Sequence, residues 1–386
     1  MREEIKTNSI LNYKYKVVKH LADGGFSKVY LCCFLSDETK FIVIKVLDIN
    51  DEKQQMVVYD ELRISNLIKN SDSDKKNYIM EYYEYFETGS LENNDKRIYI
   101  VFEYIEGLTL REYLDEFKTI TYVKAVEIIR QVALGVSFFH SCNPQIIHRD
   151  LKPENCMINK TLTKIKIIDY GAASVFYNRE DLTKDQEIKC TIIYASPKLL
   201  SLGQKVKEQA NKGLNKRALS LINDALGVSY DIHSLGVMLY ELITGTNPFS
   251  EHTITDDRDY LEKWITYDVE PLSLINKTIP KGIDNILMRC FAWKKEDNKL
   301  LYKDIYTLID DLSNVMDPES NLNQEYIKPL NKLRIYRKNL AGLYEIKEKD
   351  RKWYLQKWFI ILISCLSVIL IILLIIILFF KKSGAI

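Results

Sequence analysis

The sequence predicts an α+β protein with two lobes, the first rich in β-strands and the second helical, followed by a single C-terminal transmembrane helix. Three observations lead to this prediction. Residues 13–105 consist mainly of short β-branched and aromatic runs, residues 110–315 show helical spacing of apolar side chains, and residues 358–380 carry no charge. A chain of 386 residues, 47% of them hydrophobic and 28% charged, has enough apolar surface to bury the core of such a molecule.

The elements of the two lobes follow in order along the chain. In the N-terminal lobe, residues 13–105, strands are predicted at 15–21, 28–34, 41–47, 78–87 and 97–104. A helix is predicted at 51–68, where Leu62, Ile64 and Leu67 recur at helical spacing. In the C-terminal lobe, residues 106–315, helices are predicted at 110–117, 122–142, 231–244, 283–291 and 301–315. Two such lobes leave a cleft between them, and we expect the functional residues to line it.

The C-terminal apolar segment, residues 358–380, is predicted to cross a membrane. A helix of 23 residues is roughly 35 Å long at 1.5 Å per residue, which exceeds a hydrocarbon core of about 30 Å. Trp353, Tyr354, Trp358 and Phe359 crowd its start and Lys381 and Lys382 follow its end, as expected for residues at membrane interfaces. Only the short tail 381–386 follows the span, so we expect every functional domain to lie N-terminal to the span.

Residues 316–357 are predicted to form a basic linker beside the membrane. Between positions 325 and 357 there are ten Lys and Arg residues against four Asp and Glu, a balance that attracts anionic lipid. A solvated helical spacer explains this composition equally well. The span lacks a G-x-x-x-G motif, but Ser364, Cys365 and Ser367 are small, so self-association through it remains an option. A net charge of +1 gives no reason to expect a nucleic-acid partner.

Residues 148–155, His-Arg-Asp-Leu-Lys-Pro-Glu-Asn, carry the strongest functional signal. Phosphoryl transfer to a hydroxyl needs a carboxylate that receives the proton, a cation that neutralises the transferred group and an oxygen that holds a metal ion. Asp150, Lys152 and Asn155 supply these three groups, and we predict them to be catalytic. Asp169-Tyr170-Gly171 follows an apolar strand, and Asp169, together with Asn155, is predicted to hold Mg²⁺, with Mn²⁺ as the alternative ion.

With these motifs in this order, residues 13–315 resemble the eukaryotic-type (Hanks-type) protein kinase family, in its Ser/Thr-like form. The resemblance implies a bilobal kinase fold and a cleft that binds ATP and Mg²⁺. It assigns Lys45, in Ile42-Val43-Ile44-Lys45, to the α- and β-phosphates, and Glu61 is its expected partner, with Asp60 as the competitor. The implied ATP-binding residues are Leu21, Ala22, Asp23, Gly24, Gly25, Phe26, Ser27, Val29, Val43, Lys45, Glu61, Glu103, Ile105 and Met157.

Within that set the resemblance gives each residue a role. The glycine-rich loop of the family, G-x-G-x-x-G-x-V, keeps only its middle glycine here, at Gly24. The backbone of Glu103 and Ile105 would meet adenine beside Phe102. The apolar side chains that would enclose the adenine ring are those of Val29, Val43 and Met157.

Several positions depart from the family pattern. Tyr170 replaces a common Phe, Ser65 lies where the helix is usually apolar, and His233 replaces Trp. Lys198 and Asn298 stand where the family has a Glu–Arg ion pair, so both halves of that pair are lost together. Residues 199–228 contain an insertion of about 20 residues relative to the family, near the expected substrate site.

The predicted function is transfer of the ATP γ-phosphate to Ser or Thr hydroxyls of protein substrates by a single-pass membrane protein whose kinase domain is cytoplasmic. Lys152 two residues after Asp150 is typical of the Ser/Thr type. Ser174, Tyr177 and Thr183 are candidate activating phosphosites, since Arg149 could bind a phosphate there. The alternative is a membrane-anchored pseudokinase scaffold that binds nucleotide and partners without efficient catalysis. The altered glycine loop and Lys198 favour it, and the presence of Lys45, Asp150, Asn155 and Asp169 disfavours it. A receptor with an external sensor is disfavoured by the six-residue tail.

Overall fold

The computed structural model of the protein describes residues 4–24, 27–171, 173–175, 192–195, 227–249, 269, 271–291 and 302–324. The chain divides into two units, Met1–Leu333 and Arg334–Ile386, and every described residue belongs to the first. The predicted membrane span at 358–380, the linker from residue 325 onward and residues 199–226 of the insertion lie outside the described residues.

The N-terminal lobe is built on an antiparallel sheet with the strand order β1-β2-β3-β4-β6-β5. Its strands are β1 Ile10–Leu11, β2 Tyr15–Asp23, β3 Ser27–Phe34, β4 Asp37–Asp48, β5 Tyr82–Thr88 and β6 Arg97–Glu103. Alternate side chains turn to one face of the sheet. Tyr15, Tyr30, Ile42, Ile44 and Val101 therefore meet in a single buried cluster.

Helix α1, Glu52–Lys69, crosses between β4 and β5 and carries Glu61 toward the sheet. The Asp51 side chain caps it by accepting a hydrogen bond from the Gln54 N–H. Leu62 and Ile64 are buried as the helical spacing suggests, whereas Leu67 remains 44% exposed. The predicted strand 78–87 was wrong for its first residues, because a 3₁₀ helix at Asp74–Tyr78, capped by Ser73, precedes β5.

The described part of the C-terminal lobe is mainly helical, as predicted. Its helices are α2 Leu110–Phe117, α3 Tyr122–Ser141, α4 Ser229–Thr244, α5 Leu272–Ile275, α6 Lys281–Phe291, α7 Ile305–Asn314 and α8 Asn321–Gln324. The predicted helix at 301–315 begins only at Ile305, because the Asp304 side chain accepts the Thr307 N–H and so starts the helix there. No helix in this or any other described range is long and apolar enough to span a membrane.

Short strands of this lobe lie at the base of the cleft. They are β7 Leu108–Thr109, β8 Ile146–Ile147, β9 Cys156–Ile158, β10 Ile165–Ile167 and β11 Ser174–Val175. They pair in the orders β10-β9-β7 and β11-β8. The segment that joins β6 to β7 passes so close to β9 that a Cβ atom at Gly107 would lie 2.1 Å from the Ile158 carbonyl oxygen. Only glycine fits at this connection between the lobes.

Candidate active site

Lys45 lies on β4, and it forms ion pairs with two carboxylates from different parts of the chain. Its Nζ is 2.7 Å from Glu61 Oε1 on α1 and 3.6 Å from Asp169 Oδ1. Asp60 is exposed, so Glu61 is the partner, as predicted. Burial lowers the pKa of Lys45, but the charges of Asp169 and Glu61 outweigh burial and raise that pKa overall. Lys45 is therefore fully charged at neutral pH.

Asp169 lies two residues after β10 and its side chain is 48% exposed, so it can meet both Lys45 and a ligand. The Gly171 N–H donates to Asp169 Oδ1 at 2.9 Å and fixes the carboxylate. Desolvation raises the pKa of Asp169, but the Lys45 charge and the Gly171 hydrogen bond lower that pKa by more. The net pKa is therefore below its ordinary value. The group is a carboxylate at neutral pH, as a metal ligand must be.

The loop between β8 and β9 brings together Asp150, Lys152 and Asn155. Asp150 Oδ2 accepts hydrogen bonds from Lys152 Nζ at 2.8 Å and from Asn155 Nδ2 at 2.9 Å. The Asn155 amide also donates to the Asp150 carbonyl at 2.8 Å, which fixes the orientation of its side chain. The Asn155 side-chain oxygen accepts no hydrogen bond from any described residue, so it is available to a ligand.

The Asp231 side chain on α4 binds the backbone of this loop. Its Oδ2 accepts the His148 N–H at 2.9 Å and contacts His140 Nε2 at 2.8 Å, while its Oδ1 accepts the Arg149 N–H at 2.9 Å. These bonds support a left-handed backbone at Arg149, with φ of 67°. Burial raises the pKa of Asp231, but the hydrogen bonds and charge of His140 lower it more. A buried carboxylate thus determines the shape of the loop that carries Asp150.

These observations identify the chain's family. Residues 15–299 match the protein kinase domain family. The chain belongs to the protein kinase family.

Among the relatives of the kinase is a Mycoplasma genitalium protein, provisionally named a serine/threonine-protein kinase, that is 29% identical over 95% of this chain and 96% of that protein. A Mycoplasma pneumoniae protein with the same provisional name is 31% identical over 69% of this chain and 66% of its own length. The serine/threonine-protein kinase PrkC of Bacillus subtilis is 26% identical over 72% of this chain and 37% of its own length. The chain is an enzyme of the protein serine/threonine kinase class, and its two lobes form the bilobal kinase fold.

The residues of the kinase fit an ATP–Mg²⁺ complex. Lys45 presents a cation near the Asp169 carboxylate, and the Asn155 side-chain oxygen, which accepts no hydrogen bond from a described residue, could supply a second oxygen ligand. Two protein oxygens suit Mg²⁺, which usually completes its octahedral shell with phosphate and water. Within the described ranges there is no cluster of three or more His, Cys, Asp or Glu residues that could hold a metal ion. The assignment of these residues to nucleotide and metal stays a prediction.

The predicted adenine-binding end of the cleft follows β6. The Glu103 N–H donates to the Glu81 carbonyl at 2.9 Å, and the Glu103 carboxylate binds Lys166 and the Glu81 N–H. Adenine would therefore meet only the Glu103 carbonyl at this residue. Phe102 is buried against Tyr82 and Tyr170, with ring centroids 6.1 and 6.5 Å away. The remaining predicted residues here, Ile105, Val29, Val43 and Met157, are half-buried, as apolar side chains that line an open cleft would be.

The predicted glycine-rich loop is the turn between β2 and β3. Leu21, Ala22 and Asp23 end β2 with exposed side chains, and Ser27 begins β3. The Gly24 N–H donates to the Ser27 carbonyl at 2.7 Å and narrows the turn. Gly25 and Phe26, at its tip, lie outside the described residues.

A cluster around Arg111 was not predicted from the sequence. Its guanidinium donates to Glu154 at 2.8 Å, to Glu241 on α4 at 2.9 Å and to the Tyr194 hydroxyl at 2.7 Å. Ser234 also donates to the Tyr194 carbonyl, which holds residues 192–195 against α4. The one signal in the sequence was Glu241, a carboxylate in an otherwise apolar helix, because such a group needs a partner.

Other predicted positions lie outside the described residues. They are the phosphosite candidates Tyr177 and Thr183, and Lys198 and Asn298 of the lost ion pair. The backbone of Ser174 is described as part of β11, paired with Ile147.

Proposed function

We propose that this kinase is a membrane-anchored enzyme that transfers the γ-phosphate of ATP to serine and threonine hydroxyls of protein substrates, with Asp150 as the base. The observation that carries the proposal is the position of the Asp150 carboxylate, which Lys152 and Asn155 hold at one side of a cleft whose other groups are Lys45, Glu61 and Asp169. The names of the bacterial relatives support serine and threonine as the acceptors.

In this proposal each group has one task. Bound ATP–Mg²⁺ supplies the phosphoryl group and a leaving group. Asp150 orients the substrate hydroxyl and accepts its proton, and Lys152 neutralises the charge that develops on the transferred phosphoryl group. Asn155 and Asp169 hold the metal ion, and Lys45, oriented by Glu61, holds the phosphates. The presence of Asp150 and Asn155 beside the Lys45–Glu61 pair favours an active enzyme over the pseudokinase alternative, because a scaffold that only binds nucleotide has no need of a base.

The membrane part of the proposal is carried by the sequence. Residues 358–380 form an uncharged run of 23 residues, and basic residues precede it. We infer a single-pass protein with its kinase domain on the cytoplasmic side, where ATP is found, and with lipid as a partner of the span and the linker.

We expect the full chain, purified in detergent, to transfer labelled phosphate from ATP–Mg²⁺ to itself or to a general protein substrate. Asp150→Asn keeps the side-chain size and the contact to Asn155 but removes the base, so transfer should fall by about 10²-fold or more. Mapping of the labelled residues should find phosphoserine and phosphothreonine. Equal transfer by wild type and variant would refute the role of Asp150, and no transfer by wild type with Mg²⁺ or Mn²⁺ would favour the pseudokinase alternative.

A further inference from the structure

Two departures from the family pattern meet in the structure. Ser65 lies one helical turn after Glu61 on α1, and Tyr170 follows Asp169. Both side chains are buried, with Tyr170 only 1% exposed. The Ser65 Oγ is 3.1 Å from the Tyr170 hydroxyl and 2.8 Å from the Glu61 carbonyl oxygen. Two hydroxyls that the sequence presents 105 positions apart are therefore in hydrogen-bond contact.

A count of protons fixes the direction of both bonds. A carbonyl oxygen can only accept, so the single proton of Ser65 is donated to the Glu61 carbonyl. Ser65 must then be the acceptor in its bond with Tyr170, and the Tyr170 hydroxyl is the donor.

These hydrogen bonds and ion pairs form a closed cycle of contacts that starts at Tyr170 and returns to Asp169. Tyr170 is bonded through Ser65 to the Glu61 backbone, the Glu61 side chain binds Lys45, and Lys45 contacts Asp169, which is covalently joined to Tyr170. Asp169 is thus held on two sides, by its own carboxylate and by its neighbour in the chain. A rotation of residues 169–170 away from the cleft would break both connections at once.

We propose that Ser65 and Tyr170 are positioning residues that keep Asp169 oriented for the metal ion of the nucleotide complex. This inference rests on the proposed function, because it assumes that Asp169 is a metal ligand. A kinase with apolar side chains at both positions would hold the same segment by packing alone. Here a directional bond is added to the packing of Tyr170 against Phe102 and Phe139.

The direction of the bonds makes the two single variants unequal. In Ser65→Ala the Tyr170 hydroxyl stays buried without its acceptor, which favours conformations that move Tyr170, and Asp169 with it, out of place. In Tyr170→Phe the Ser65 hydroxyl still donates to the Glu61 carbonyl, so no buried donor is left unpaired. The double variant has no hydroxyl to satisfy. It should resemble Tyr170→Phe rather than the sum of both changes.

The test is calorimetric binding of a non-hydrolysable ATP analogue to the full chain in detergent, with and without Mg²⁺. We expect Ser65→Ala to weaken Mg²⁺-dependent binding about tenfold. Tyr170→Phe and the double variant should each weaken it about threefold, because they lose the bond but leave no buried donor unpaired. Without Mg²⁺ the four proteins should differ by less than about twofold, since Asp169 then has no ion to hold. A general loss of folding would change both conditions equally.

Ser137→Ala is the matched control, because Ser137 is a fully buried helical serine that donates to the Leu134 carbonyl at 2.7 Å and is far from Tyr170 in the chain. It should bind the analogue as wild type does. Wild-type affinity in Ser65→Ala, or additive losses in the double variant, would overturn the inference. A wild-type protein that binds the Mg²⁺ complex but transfers no phosphate would refute the proposed function alone, and one without Mg²⁺-dependent binding would overturn both.

Discussion

His233 is a buried histidine whose ring packs against two phenylalanine rings. It is 3% exposed on α4 and its ring lies 5.9 Å from Phe249 and 5.5 Å from Phe291. Its Nε2 has no hydrogen-bond partner within the described residues. Burial lowers the pKa of His233 to about 3, against a weak opposing effect of the Cys290 backbone. The imidazole is therefore neutral in the folded protein at any physiological pH.

This burial makes stability depend on pH. The unfolded chain protonates His233 below its ordinary pKa of 6.5, whereas the folded chain does not until about pH 3, so acid stabilises the unfolded state. Stability from this residue is complete above pH 6.5 and is lost as the pH falls. Between pH 7.5 and pH 5 the loss is about 2 kcal/mol. Urea unfolding of His233→Phe should show a pH-dependent loss smaller than that of wild type by this amount, and equal losses would contradict the assignment.

For single residues, the sequence predicted the ion pair whose two members both belong to recognisable motifs. It did not predict the ion pairs that join segments without such motifs. The Lys45–Glu61 pair follows from a family pattern in which both positions are recognisable. The Arg111 cluster joins α2, the loop at Glu154, residue 194 and α4, and no periodicity connects these segments. Likewise, nothing in the two separate departures at Ser65 and Tyr170 indicated that they compensate for one another.

Among the elements, α1 has the most direct connection to chemistry, because it carries both Glu61 and Ser65. Its first turn is held by Asp51, whose carboxylate accepts the Gln54 N–H at 2.8 Å, and by Glu52, an acid near the positive end of the helix dipole. Asp51 is exposed and its side chain accepts the N–H of its own helix, so we expect its contribution to be to the helix.

We expect Asp51→Ala to lower the free energy of unfolding by about 1 kcal/mol, because a backbone N–H of the first turn loses its acceptor. Asp51→Asn is the control, since an asparagine oxygen caps nearly as well and should retain most of that free energy. Urea denaturation of the full chain measures both. An alanine variant as stable as wild type would show that the cap is unimportant here.

Elements with strong periodicity were predicted within a few residues, and short irregular ones were not. Helix α2 has the predicted bounds, and α3 ends one residue early. The strand β1 has only two residues and the 3₁₀ helix before β5 is polar, so neither has a hydrophobic pattern to detect. The early start predicted for β5 had the same origin, because aromatic residues beside a 3₁₀ helix resemble a strand.

For the whole molecule, the proposal of a membrane anchor predicts where the chain is found. The full chain should sediment with membranes and resist an alkaline carbonate wash, whereas a chain that lacks residues 358–386 should be released. Leu370→Arg places a charge at the centre of the span and should weaken insertion, and Leu370→Val is its control. Retention of the truncated chain on washed membranes would contradict the anchor at this segment.

The two-lobed architecture could be predicted almost entirely from sequence, because the order of strands, hinge and helices follows the order of the motifs. The side-chain contacts that support the site within this architecture could not be predicted. Asp231 beneath the loop of Asp150, and Lys166 against Glu103 at the base of β6, are contacts between parts of the chain that only the fold brings together.

Gly107, at the connection between the lobes, also limits which amino-acid substitutions the chain can accept in evolution. Every residue other than glycine has a Cβ, and any Cβ at this position would overlap the Ile158 carbonyl oxygen. An amino-acid substitution at this position should therefore be deleterious, whatever the polarity or size of the new side chain. Tyr104, three residues earlier, is 39% exposed, so a substitution there should cost less. Lineages that descend from this kinase should therefore vary at 104 while position 107 stays unchanged, so the rate of divergence would change abruptly within one short connection.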